Sequence, residues 1–232
     1  EEDDGQIESD SDSDSDSDSV EIKKLRLFFG VSLAVQARQV VEKGILAAKA
    51  LPVKEGDVEL KWSPASNYHV TVKFIGEVEE ENVQMLIKRM DKELRQSEAC
   101  RPFRMVIQGA GSFPLEGRPR ILWAGIDEDS TPPLTALRLA ADKALLFDDS
   151  NDQEDFTPHC TVARCNANKK DPSRWNEAAV KFLEDCKDLR SEPFQVDSVE
   201  LFLSSSEKDS GGVEEFAGRT GSVYSVLHSF KL

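Results

Sequence analysis

Two copies of one short pattern carry the side chains most able to do chemistry in this 232-residue chain: His69-Val70-Thr71-Val72 and His159-Cys160-Thr161-Val162. The chain has three histidines and six threonines, and two of the histidines have a threonine two places on. Each copy is rich in β-branched residues, as strands are. Residues two apart in a strand face the same side. Each copy therefore turns an imidazole and a hydroxyl one way, and Val70, Val72, Cys160 and Val162 the other. Imidazole both takes and gives protons near neutral pH, so a matched pair suits a reaction that needs one base and one acid. A lone strand histidine is more often a hydrogen-bonded structural residue; two with the same neighbours point to a shared site. His228, followed by Ser229 and Phe230, lacks the pattern and is read as structural or exposed.

The motifs need strands to hold them, and the hydrophobic pattern supplies these. Leu25–Val31 is an apolar strand. Residues 33–51 read as a helix ending before Pro52, with Val40, Val41, Ile45 and Leu46 at helical spacing. Val58–Trp62 is a short strand. Asn67–Ile75 is the first motif strand, with Gly76 as its stop. Residues 79–96 form an amphipathic helix with Val83, Leu86, Ile87, Met90 and Leu94 on one stripe. Phe103–Ala110 and Arg120–Ile126 are strands flanking a loop that begins Gly111-Ser112-Phe113-Pro114. Thr131–Phe147 is a helix opening with two prolines, an accepted first-turn position. Pro158–Ala163 is the second motif strand, after a polar loop at 148–155. Residues 172–189 form a helix capped by Asp171 with Pro172 at its first position. Phe194–Leu203 and Ser222–Phe230 form a closing hairpin. The order strand–helix–strand–strand occurs twice, once from Leu25 and once from Arg120. We expect an α+β fold of two similar lobes, each giving one motif strand to a shared cleft.

Charge is unevenly spread. The net charge is −15, but residues 1–21 hold eleven acids and no base, which leaves 33 acids against 29 bases elsewhere. The Ser-Asp run of residues 9–19 has almost nothing apolar to bury and is expected to be disordered. It resembles acidophilic kinase sites, and a plain solvating tail is the simpler reading. The near-neutral remainder, residues 22–232, is expected to be a single bilobal domain and a monomer. It lacks the basic surface that long nucleic acid demands, though an anionic ligand in a local pocket fits. Cys100, Cys160, Cys165 and Cys186 have no zinc-like spacing and are read as reduced thiols. There is no membrane-length apolar run and no legible secretory leader. The expected location is intracellular and cytoplasmic, or an organelle if a targeting segment has been removed.

The chain resembles the 2H phosphoesterase superfamily, named for paired H-x-[ST]-x motifs, and within it the RNA 2',3'-cyclic phosphodiesterases, also called 2'-5' RNA ligase-like proteins. The resemblance rests on Arg26-x-Phe28, on His69 through Gly76, and on Gly111 through Gly125. It rests too on Thr157-Pro-His-Cys-Thr-Val-Ala-Arg164, Leu201-Phe-Leu-Ser204 and Tyr224-x-x-Leu227-x-x-Phe230, and so spans residues 25–232. Segments 203–221 and 148–156 are longer and more acidic than the compact bacterial pattern.

The resemblance implies metal-independent, cofactor-free hydrolysis of a 2',3'-cyclic phosphate, on an RNA end or a nucleotide, to a 2'-phosphate. His69 and His159 would be the acid–base pair, by analogy the acid and the base respectively. Thr71 and Thr161 would hydrogen-bond the phosphate oxygens. Arg164 is placed at the phosphate or base; five residues from His159, it faces away on an unbroken strand, so the strand must end or bend at Ala163. Phe28 is open to base stacking or core packing. Arg118 and Arg120 are open to RNA contact or to a structural turn. Three alternatives remain: 2'-5' ligation, a small-molecule substrate such as ADP-ribose 1'',2''-cyclic phosphate, and a binding module without catalysis.

Overall fold

Strict alternation in the first strand sets the plan of the molecule. The computed structural model describes residues 22–52, 60–116, 119–145, 156–165, 177–205 and 222–232. In β1 (Lys24–Ser32), Leu27, Phe29 and Val31 join the core beneath the helices, while Phe28 is buried outside that core, on the opposite face. One face of the sheet is thus covered by helices. The other carries Phe28, Gly30 and Ser32.

The elements that follow are α1 (Val35–Lys49), β2 (Leu60–Trp62), β3 (His69–Glu79), α2 (Val83–Gln96), β4 (Phe103–Met105), β5 (Ile107–Phe113), β6 (Ile121–Ile126), α3 (Thr131–Leu145), β7 (His159–Cys165), α4 (Glu177–Cys186), β8 (Phe194–Val196), β9 (Ser198–Ser205) and β10 (Val223–Lys231). The main sheet runs β10-β9-β1-β3-β7-β6-β5, with β2 also on β7; β4 and β8 form a separate pair. From its centre the order reads outward alike on both sides: β3, β1, β9 on one, β7, β6, β5 on the other. Neighbouring strands are antiparallel throughout. This is the expected α+β, two-lobed arrangement.

The helices cross between the lobes. The helix after β1, α1, packs with α4, which touches β5; the helix after β6, α3, packs on β3 and α2. The second lobe is also not a full repeat of the first, because no strand among the described residues stands to β3 as β2 stands to β7.

Several expected boundaries moved, and the strand expected over Phe194–Leu203 also breaks, at Asp197, into β8 and β9. β3 does not stop at Gly76. It continues to Glu79, with Gly76 at φ +88° absorbing a register shift opposite Leu27 and Phe28, a conformation glycine takes freely. The strand expected over Phe103–Ala110 breaks at Val106 and serves two sheets. Gly111, Ser112 and Phe113 lie in β5, not in a loop, paired with Trp123, Leu122 and Ile121. Gly111 reads as a loop residue but is there for space: a Cβ would come within 2.2 Å of the Trp123 ring. The two prolines do open α3. The acidic tail, the 148–155 loop, the Asp171–Pro172 cap, Arg118 and residues 206–221 lie outside the described residues.

Candidate active site

The two motif strands meet at one register pair, Val70 with Cys160, in antiparallel sense. One residue on, His69 lies across from Thr161, and Thr71 across from His159. Val70, Val72, Cys160 and Val162 are buried in the core, as the alternation requires. His69, Thr71, His159 and Thr161 are half-buried on the other face.

Backbone carbonyls fix both rings. His69 Nδ1 is 2.7 Å from Asn67 O, and His159 Nδ1 is 2.7 Å from Thr157 O. A carbonyl only accepts, so each Nδ1 carries the hydrogen, and the lone pair of the neutral ring sits on Nε2. The Thr71 hydroxyl, 3.0 Å from His69 Nε2, donates to it. Both Nδ1–H donors are thus tied two residues back along their own chain, in the same way in each motif.

Both strands bulge at the fourth motif residue. Gly30 pairs with Thr71 and Phe29 with Lys73, which skips Val72; Trp123 pairs with Thr161 and Leu122 with Ala163, which skips Val162. A bulged residue shifts the alternation by one. Val162 and Ala163 are both buried, and Arg164 comes back to the histidine face, exposed. Of the two expected ways, an end or a bend at Ala163, the strand takes the second: it runs on to Cys165, and a bulge at Val162 turns Arg164.

Aromatic rings wall each imidazole. His69 lies 4.8 Å from Phe28, 5.4 Å from Phe202 and 5.2 Å from Tyr224. His159 lies 5.0 Å from Phe113 and 6.2 Å from Trp123. Phe202 and Phe113 hold equivalent places on β9 and β5. Gly30 leaves room for the His69 ring, since a Cβ there would stand 3.3 Å from His69 Cδ2 and from Phe202 Cε2.

These surroundings make protonation costly. Burial lowers the pKa of His69 to about 4, with its carbonyl partner opposing and the charges of Arg164 and His159 adding to the fall. Burial also lowers that of His159, again against its carbonyl partner and again aided by Arg164. Without ligand, both rings are neutral near pH 7. Cys160 is pushed up to about 12 by burial and stays a thiol. Glu200, buried and raised by desolvation, accepts from Ser32 N at 3.1 Å and from Ser198 Oγ at 2.7 Å.

Of the residues expected at the site, His69, His159, Thr71, Thr161 and Arg164 share one face. Phe28 is on that face but only 2% exposed, stacked on Phe202 and under His69, so it packs against the imidazole. Arg120 is exposed; its N–H donates to Phe113 O and its carbonyl accepts from Cys165 N, which closes the β5–β6 hairpin. His228 is exposed on β10 against Phe230. Sequence reasoning assigns no role to Phe113, Trp123, Phe202 or Tyr224. Their only signal is membership of the segments that carry the resemblance. Among the described residues no group of three potential metal ligands gathers, and no helix is long and apolar enough to cross a membrane.

A family model described as the 2'-5' RNA ligase superfamily matches residues 53–208. A protein of Aquifex aeolicus named RNA 2',3'-cyclic phosphodiesterase is 29% identical over 219 residues, covering 91% of this chain and 99% of its own. One of the same name from Aeropyrum pernix is 28% identical, covering 81% and 95%. Among solved structures, TT0787 of Thermus thermophilus superposes with a TM-score of 0.59 at 25% identity, covering 90% of this chain and 98% of that one. E. coli LigT complexed with 3'-AMP shares the fold, with a TM-score of 0.55 at 21% identity, covering 90% of this chain and 99% of that one.

Proposed function

The chain belongs to the 2'-5' RNA ligase superfamily, and from that premise we propose that it hydrolyses 2',3'-cyclic phosphate ends of RNA or nucleotides to 2'-phosphates. The observation that carries this reading is the matched pair of imidazoles. Both are held in the Nδ1–H tautomer by a carbonyl, which leaves Nε2 for chemistry, and each has a threonine beside it on the same face.

In the reaction, one neutral imidazole takes a proton from water as the oxygen attacks phosphorus. The other, as imidazolium, protonates the 3' oxygen as its bond to phosphorus breaks. Water adds across that bond, and the protein ends with its proton moved from one ring to the other. We assign His159 as base and His69 as acid; the low pKa of His69 makes its protonated form a strong donor to the leaving oxygen. The phosphate anion between the rings offsets the cost of that imidazolium. Thr71, Thr161 and Arg164 hydrogen-bond the non-bridging oxygens, where charge grows in the transition state. Arg164 lies on the same face, and its positive charge disfavours protonation of both histidines in the free protein. In this reading one chain supplies every group named, and the steps call on neither a second copy nor a metal.

The test is incubation with a short RNA ending in a 2',3'-cyclic phosphate, in the presence of a chelator, with the product end identified. A 2'-phosphate is expected. A 3'-phosphate would reverse which ribose oxygen meets the acid. Binding without turnover would favour a non-catalytic module, and joining to an added 5'-hydroxyl RNA would favour ligation.

A further inference from the structure

Strand β2 brings a second cation to the face of the site. Lys61 pairs directly with Arg164 on β7, and directly opposed residues of an antiparallel pair share a face. Alternation along β2 agrees. On either side of Lys61, Leu60 and Trp62 pack against the core, and the Trp62 ring lies 6.2 Å from Phe182 of α4. Lys61 therefore lies on the other face, with Arg164 and the histidines. Both cations are exposed. Among the described residues neither makes an ion pair. The backbone around Lys61 is well tied: β2 has three register pairs with β7, and Ser63 N donates to Val162 O at 2.8 Å.

Like charges directly opposite each other destabilise a strand pair. Two cations in this register gain only when anions lie across them. The cyclic phosphate brings one negative charge, which Arg164 already meets in the mechanism above. An RNA end carries a second, on the phosphodiester that joins its last nucleotide to the one before. A free nucleoside cyclic phosphate has no such group. Two neighbouring cations thus match two neighbouring phosphates. The other lobe offers no counterpart, because no strand among the described residues stands to β3 as β2 stands to β7. The added strand therefore gives the face a polarity, with Lys61 on one side of the imidazole pair only.

We propose that Lys61 binds the phosphodiester preceding the cyclic-phosphate end, beside the terminal phosphate at Arg164, which makes the protein favour RNA ends over free cyclic nucleotides. This rests on the hydrolysis reading above. The test compares kcat/KM for a nucleoside 2',3'-cyclic phosphate with that for a dinucleotide of the same end, at low salt and in the full chain. The wild type should prefer the dinucleotide. Lys61→Ala should lower that preference about fivefold, the upper scale of an exposed ion pair, and Lys61→Arg should keep it. A dinucleotide with an uncharged methylphosphonate linkage should not distinguish wild type from Lys61→Ala. Lys61→Ala should melt no lower than the wild type, since it removes a like-charge pair. An unchanged preference in Lys61→Ala, or a loss that persists with the uncharged linkage, would overturn the assignment. So would a larger Lys61-dependent gain for ADP-ribose 1'',2''-cyclic phosphate than for the dinucleotide, which would make the occupant a pyrophosphate. If the wild type opened none of these substrates, the hydrolysis reading itself would fail. Dissociation constants of the charged and uncharged dinucleotides for wild type and Lys61→Ala would then still decide the phosphodiester contact.

Discussion

Val70 pairs with Cys160, and through that one register pair the two motif strands join into a single sheet. The pairing places each histidine opposite the other strand's threonine. The proposed acid–base pair is therefore a property of the joint between the lobes, and neither lobe contains it alone.

Replacing either His69 or His159 by Ala should reduce turnover by about 10²-fold or more, the usual scale for a general acid or base. Both rings are half-buried on the open face, so the fold should survive. Single-turnover rates on the cyclic-phosphate RNA, with a circular dichroism spectrum of each variant, would check this. Full activity in His69→Ala would end the paired-imidazole mechanism.

The pH profile follows from the depressed histidines. In the free protein His69 titrates at about 4, and His159 below the ordinary histidine value. The working state needs one ring protonated and one neutral. The bell in kcat/KM, which reports the free protein, should therefore lie below about pH 6.5. The bell in kcat should lie higher, because bound phosphate favours the imidazolium. Rates measured from pH 4 to 9 at saturating and limiting substrate would show the displacement.

Stability should share the histidine dependence. The unfolded His69 takes up a proton near pH 6.5, whereas the folded one does so only at about 4. As pH falls between these values the unfolded chain binds more protons, so stability is lost as pH falls, by roughly 3 kcal/mol at most. Glu200 acts in the opposite sense: its pKa is raised on folding, so its contribution is lost as pH rises through the folded value. Urea midpoints of wild type and His69→Asn across pH 4–7 would separate the two, with the acid slope shallower in the variant.

Gly111→Ala should destabilise the protein by about 1–3 kcal/mol, the usual cost of overpacking, because the new Cβ meets the Trp123 ring. Activity should also fall, since Trp123 flanks His159. In a Trp123→Leu background the same substitution should cost less. Additive effects in that double-mutant cycle would argue against the contact.

Much of this was legible in the residues. The alternation in the two motifs gave the shared face of histidine and threonine, and the apolar pattern gave four helices and most strands. The errors fell where backbone geometry overrides pattern. Gly76 and Gly111 look like stops, yet one carries a positive-φ bulge and the other makes room for an indole. Arg164 looked misdirected because a bulge leaves no mark on composition. Phe113, Trp123, Phe202 and Tyr224 are simply aromatic in the sequence. Only the strand order reveals that they enclose the imidazoles.

The crossing of α1 and α3 carries a consequence for how the chain acquires its shape. Residues 22–116 alone would leave α1 without α4 and β2 without β7. The later residues alone would leave α3 without β3. The duplicated look is thus a symmetry of form only, and the chain cannot be cut into two self-sufficient halves. Each half is finished by the other, so folding should proceed as one all-or-none event, and the paired imidazoles should come together only with the whole.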